Sequence, residues 1–93
     1  MVKISEPGRT PLHLVVCRPI DIGRDGEGLL LADAELSRQH LRLTATAGRL
    51  VVADLGSTNG TKVDGVDLRE PSRVPPGQVV TFGHCRLEVV APD

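Results

Sequence analysis

The chain has 93 residues, with 11 Lys and Arg against 12 Asp and Glu and a formal charge of −1. That size suits one domain around one modest core, and the balanced charge supplies no broad positive field for nucleic acid. Twelve Val and twelve Leu against a single aromatic, Phe82, dictate an aliphatic core and favour strands, while ten Gly and seven Pro cut the chain into short pieces.

No basic segment followed by an apolar stretch opens the sequence, so no signal peptide is expected. The longest apolar runs, such as Leu14 to Cys17 and Leu29 to Ala32, are too short to cross a bilayer. A cytoplasmic domain without membrane contact is expected, read as one unit over residues 1–93 and as a fragment of a longer protein. Ala91-Pro92-Asp93 is either a frayed end or the place where that protein continues.

In chain order, turns are marked by Glu6-Pro7-Gly8, Asp25-Gly26, Ala47-Gly48, Asp64-Gly65, Pro75-Pro76-Gly77 and Gly83-His84. Apolar residues alternate with polar ones at Ile20 and Ile22, at Leu41, Leu43 and Ala45, and at Leu87 and Val89, which is the period of a half-buried strand. Ala32 to His40 has helix propensity, with Asp33 as a capping residue. Alternation starts again at Leu41, however, which leaves too little length for a stable helix, and the stretch is read as a loop. Val63-Asp64-Gly65-Val66 is the sharpest hairpin signal, because Asp-Gly tolerates the positive φ that both central residues of a type I′ turn need. Cys17 and Cys85 are too few for a disulfide scaffold and lie among Val and Leu, so both are expected as buried free thiols.

Three polar islands fall at the ends of these strands: Gly23-Arg24, Ser37-Arg38-Gln39-His40, and Asp54-Leu55-Gly56-Ser57-Thr58-Asn59-Gly60-Thr61. Loops at one end of a sandwich can bring such distant segments together. Their inventory is two guanidiniums (Arg24, Arg38), hydroxyls (Ser37, Thr58), an amide (Asn59) and the backbone N–H groups of a glycine-rich loop, all donors suited to an anion's oxygens. A phosphate is the natural guest.

In these islands the sequence resembles the forkhead-associated (FHA) domain family, whose pattern runs Gly-Arg, Ser-Arg-x-His, Asp-Leu-x-Ser-Thr-Asn-Gly-Thr, a hydrophobic-Asn-Gly turn and a late Phe-Gly. Each piece occurs here in order between Gly23 and Gly83, with Asp64 in place of the Asn of the turn. The resemblance implies an all-β sandwich of about eleven short, mostly antiparallel strands, with its functional loops at one end. It also implies a module for signal transduction that reads phosphothreonine in an extended segment of a partner, the product of a Ser/Thr kinase. By similarity Arg24 and Ser37 contact the phosphate, Arg38 adds a charged contact, Thr58 completes the pocket and Asn59 holds the peptide backbone. Gly23, His40, Asp54, Ser57, Gly60 and Gly65 are structural in the same pattern. Two or three charge-assisted hydrogen bonds of roughly 1.5 to 3 kcal/mol each point to micromolar affinity, about −8 kcal/mol.

Two departures, at Asp64 and at Lys62, where the family often has a large apolar residue, bear on specificity, as does one further carboxylate. Asp64 stands where the family usually has Asn and is expected to add negative charge near the peptide path, with Lys62 in place to balance it. Glu35, two residues before Ser37, is expected to disfavour acidic residues downstream of the phosphothreonine.

Other chemistries are poorly supported. Ser37, His40 and Asp54 supply the residue types of a hydrolase triad, but no nucleophile elbow is present. Gly56 to Lys62 lacks the Gly-Lys-Ser/Thr of a Walker loop, and Asn59-Gly60-Thr61 is a glycosylation acceptor only in a secreted chain. His13, His84 and Cys85 lack zinc-site spacing. No enzyme activity, metal or cofactor is expected. The competing reading is a phosphate-independent scaffold or oligomerisation domain that regulates an attached domain.

Overall fold

The computed structural model describes residues 1–90; the Ala91-Pro92-Asp93 end lies outside them. Eleven strands form in chain order: β1 (Val2–Ser5), β2 (Leu12–Leu14), β3 (Ile20–Gly23), β4 (Leu29–Leu30), β5 (Leu41–Thr46), β6 (Arg49–Asp54), β7 (Thr61–Val63), β8 (Val66–Asp67), β9 (Ser72–Arg73), β10 (Val79–Phe82) and β11 (Cys85–Val89). They make a six-stranded sheet, β2-β1-β11-β10-β7-β8, and a five-stranded sheet, β4-β3-β5-β6-β9. Pairing is antiparallel except between β3 and β4, whose parallel register sets Ile22 against Leu29.

Alternation along each strand turns one apolar row inward. Val2 and Ile4 of β1, Val80 and Phe82 of β10, and Cys85 and Leu87 of β11 meet Ile22 of β3, Leu41 and Leu43 of β5, and Leu50 and Val52 of β6 in one buried cluster. Leu31 and Leu36 reach into it from the segment between β4 and β5, so that loop is anchored in the core despite having no regular structure. The segment does not form a helix. Asp33 nonetheless behaves as a local cap, its Oδ1 accepting the Glu35 N–H at 2.9 Å.

The Asp64-Gly65 turn forms as expected, with φ of 49° and 81° and Val63 paired to Val66. Two expectations fail. Cys17 is exposed, because the inward register of this part of the chain is carried by Leu14 and Val16 and leaves position 17 facing solvent; only Cys85 is buried. Ala45 is exposed as well, although its register partner Leu50 is buried in the core.

Because β3, β5 and β6 alternate in direction, the end of β3, the start of β5 and the end of β6 lie at the same end of the sheet. The three polar islands are attached to those three ends.

Candidate phosphate-binding rim

Gly23 closes β3, and its position is steric. A Cβ there would overlap the backbone carbonyl of Arg38, so only glycine lets the two loops pass this closely. The contact is then fixed by backbone bonds, the Arg24 N–H donating to the Ser37 carbonyl at 3.0 Å and the Asp25 N–H to the Arg38 carbonyl at 3.2 Å. The second and third islands are joined in the same way, the Thr58 N–H donating to Ser37 Oγ at 2.8 Å. Asn59 Nδ2 donates to the Glu35 carbonyl at 2.8 Å and lies 3.1 Å from Glu35 Oε2. Arg24, Ser37, Arg38, Thr58 and Asn59 therefore sit on three loops clamped to one another.

Beneath the rim, His40 is fully buried and its ring centroid lies 6.0 Å from that of Phe82. Its Nδ1 accepts the Ser37 N–H at 3.1 Å, so that nitrogen carries no proton. The proton is then on Nε2, which donates to the Gly60 carbonyl at 2.8 Å. One neutral tautomer thus braces the second island against the third.

The third island is shaped by Asp54. Its Oδ1 accepts the Gly56 and Ser57 N–H groups, each at 2.8 Å, and its Oδ2 accepts the hydroxyls of Ser57 and Thr61, each at 2.6 Å. Burial pushes the Asp54 carboxyl up, but these four bonds outweigh it and hold the group below the usual carboxylate range. Ser57 Oγ in turn accepts the Gly60 N–H at 3.0 Å, and Gly60 makes the bend at a φ of 82°.

These bonds leave a defined set of groups free. Arg24 and Arg38 are exposed, and among the described residues neither guanidinium has a hydrogen-bond or ion-pair partner. Ser37 Oγ accepts from Thr58, which leaves its own O–H proton to donate. An open depression beside these groups is lined by Asp25, Gly26, Ser37, Arg38, Gln39 and Leu55. No hydrolase relay exists among the described residues: Ser37 Oγ is bonded to Thr58, His40 to Ser37 N and Gly60 O, and Asp54 to its own loop.

Asp64 is held within the six-stranded sheet. It follows β7 at the end away from Thr61, and its Oδ1 is committed to the Val79 N–H at 2.9 Å. Lys62 pairs in register with Asp67 of β8. Sequence reasoning read Asp33 only as a local cap and missed its second role, in which its carboxylate spans to the β10–β11 turn and accepts the His84 N–H at 2.6 Å. Burial pushes this carboxyl up, but bonds from the Glu35 and His84 N–H groups, the His84 ring and the Cys85 thiol outweigh it and bring it to about 2. No local pattern signals a bond spanning that many residues.

A family model described as the FHA domain matches residues 20–83. The chain belongs to the FHA domain family. FhaB of Mycobacterium tuberculosis is 40% identical over 73 residues, a match covering 77% of this chain and 47% of FhaB. This FHA domain thus spans about half the length of the relatives it matches. In fold it is similar to the FHA domain of CT664 from Chlamydia trachomatis, at a TM-score of 0.84 and 24% identity over 99% of this chain and 98% of that one. A structure from an analysis of phosphothreonine-dependent FHA domain interactions gives a TM-score of 0.81 at 26% identity, covering 98% of this chain and 95% of that one.

Proposed function

We propose that this FHA domain binds phosphothreonine in an extended segment of a partner protein, as a non-catalytic reader in Ser/Thr kinase signalling. The observation that carries the reading is the pair of exposed guanidiniums, Arg24 and Arg38, without a partner among the described residues, on loops that hydrogen bonds clamp to Ser37 and Thr58. A phosphate dianion offers three strong acceptor oxygens to these donors, whereas unmodified threonine offers one neutral hydroxyl. The reading is further supported by the similar structures, one described as an FHA domain in phosphothreonine-dependent interactions and another as a complex with a pThr318 peptide.

In this reading Arg24, Ser37 and Arg38 hold the phosphate, Thr58 borders it and Asn59 engages the peptide main chain. Residues 1–93 act as one domain of a longer protein, on the cytoplasmic side, where ATP-dependent kinases make phosphothreonine.

The test is titration of one threonine peptide, with and without phosphate, against wild type and Arg24→Ala in low and moderate salt. Binding only of the phosphorylated form is expected, with Arg24→Ala weaker by roughly ten- to a hundredfold, the equivalent of about 1.5 to 3 kcal/mol. Equal binding of both peptides would favour the phosphate-independent scaffold.

A further inference from the structure

Asn59 is partly occupied before any ligand arrives. Its Nδ2 has two protons; one is taken by the Glu35 carbonyl at 2.8 Å and the other faces the Glu35 carboxylate Oε2 at 3.1 Å. Oδ1 has no partner among the described residues, so in this state Asn59 offers a peptide an acceptor and no donor. An extended peptide presents both N–H and C=O groups. Its carbonyl gains the second Asn59 proton only when the Glu35 carboxylate moves off.

Glu35 itself is exposed, and among the described residues no ion pair joins it to a cation. This separates it from Asp33, whose charge is absorbed by His84, Cys85 and the Glu35 N–H. The groove beyond it also has Glu6 and Arg9 in its walls. Arg9 makes no ion pair with either glutamate among the described residues, so it does not cancel the Glu35 charge at short range.

We infer that Glu35 is a specificity-determining residue of the rim, selecting phosphopeptides that carry a Lys or Arg past Asn59 and rejecting those that carry Asp or Glu there. The inference rests on the phosphothreonine reading above. A ligand cation pairs with the Glu35 carboxylate, which no cation holds among the described residues, and draws it from Nδ2, which frees that proton for a peptide carbonyl. A ligand carboxylate faces Glu35 with nothing to compensate it. An exposed pair changes affinity by up to about fivefold, and like-charge repulsion acts in the opposite sense, so a Lys-to-Glu ratio of about tenfold is expected at low salt, shrinking as salt is added.

The experiment is fluorescence anisotropy with phosphothreonine peptides in an alanine background. Lys or Glu is placed in turn at each of three positions on either side, against wild type, Glu35→Gln and Glu35→Lys, with unphosphorylated peptides as the control. At one position wild type is expected to prefer Lys about tenfold, Glu35→Gln to bring the ratio near one, and Glu35→Lys to invert it. Wild type binding the phosphopeptides with no preference, or a preference that survives in Glu35→Gln, overturns the inference and leaves the phosphothreonine reading standing. Loss of every phosphopeptide in both variants also overturns it, since Glu35 would then be a prop for its loop. Binding that ignores phosphate defeats the parent reading and this inference with it.

Discussion

His40 is the residue on which the shape of the rim depends. It is fully buried, touches Phe82 and holds both the Ser37 N–H and the Gly60 carbonyl. His40→Ala leaves a cavity and two stranded backbone groups, and urea unfolding is expected to show a loss on the order of 2 to 4 kcal/mol. Asp33 gives a pH signature. Its folded pKa of about 2 lies below the ordinary 3.8, so the stability it adds is complete above about pH 4 and is lost as pH falls through about 2. The gap in stability between wild type and Asp33→Asn is expected to be on the order of 2 kcal/mol at neutral pH and to close across that window, as acid titration of unfolding would show. The two thiols should differ in the same spirit. Burial pushes the Cys85 thiol up to about 12, with the Asp33 charge adding to it, while Cys17 is exposed. Iodoacetamide is expected to modify Cys17 alone in the native protein, as peptide mass analysis would show.

At the scale of elements, two glycines separate fold from function. Gly65 sits at a φ of 81° in the β7–β8 turn, and Gly65→Ala is expected to cost about 1 kcal/mol in thermal unfolding while changing phosphopeptide affinity by less than about twofold. Gly23→Ala drives a Cβ into the Arg38 backbone and must displace the second island, so it is expected to weaken binding at least about tenfold. Gly65 was legible in the sequence from its turn chemistry, and Gly23 only through the family resemblance, which does not show the close approach of the Arg38 backbone. The strands at Ile20 and Ile22, Leu41 and Leu43, and Leu87 and Val89 were legible from alternation. β8 was legible as the second arm of the Asp64-Gly65 hairpin, but the two-residue strands β4 and β9 were not, because so short a run carries no period and pairs only when its neighbour is in place.

For the molecule as a whole, what local pattern could not reveal is what long-range geometry decides. The candidate phosphate donors were readable as residue types, but the Asn59–Glu35 contact and the Asp33 bridge to His84 arise only once the two sheets are stacked. The same stacking sets the folding unit. The family match runs over residues 20–83, yet β1 lies between β2 and β11 in the six-stranded sheet and, with β11, gives Val2, Ile4, Cys85 and Leu87 to the core. A fragment limited to residues 20–83 is expected to show no cooperative unfolding transition by circular dichroism, because it forfeits those side chains and leaves Val80 and Phe82 open to water.

The proposed function rests on one arrangement, in which three loops from separate strand ends would present their donors to a single phosphate. The most direct measurement is a two-dimensional amide NMR titration of the labelled domain with a phosphothreonine peptide and its unphosphorylated twin. The account predicts phosphate-dependent shifts concentrated at Arg24, Ser37, Arg38, Thr58 and Asn59. Shifts of the same size without phosphate, or shifts gathered on the β2 or β8 edges with those five amides unmoved, would contradict it.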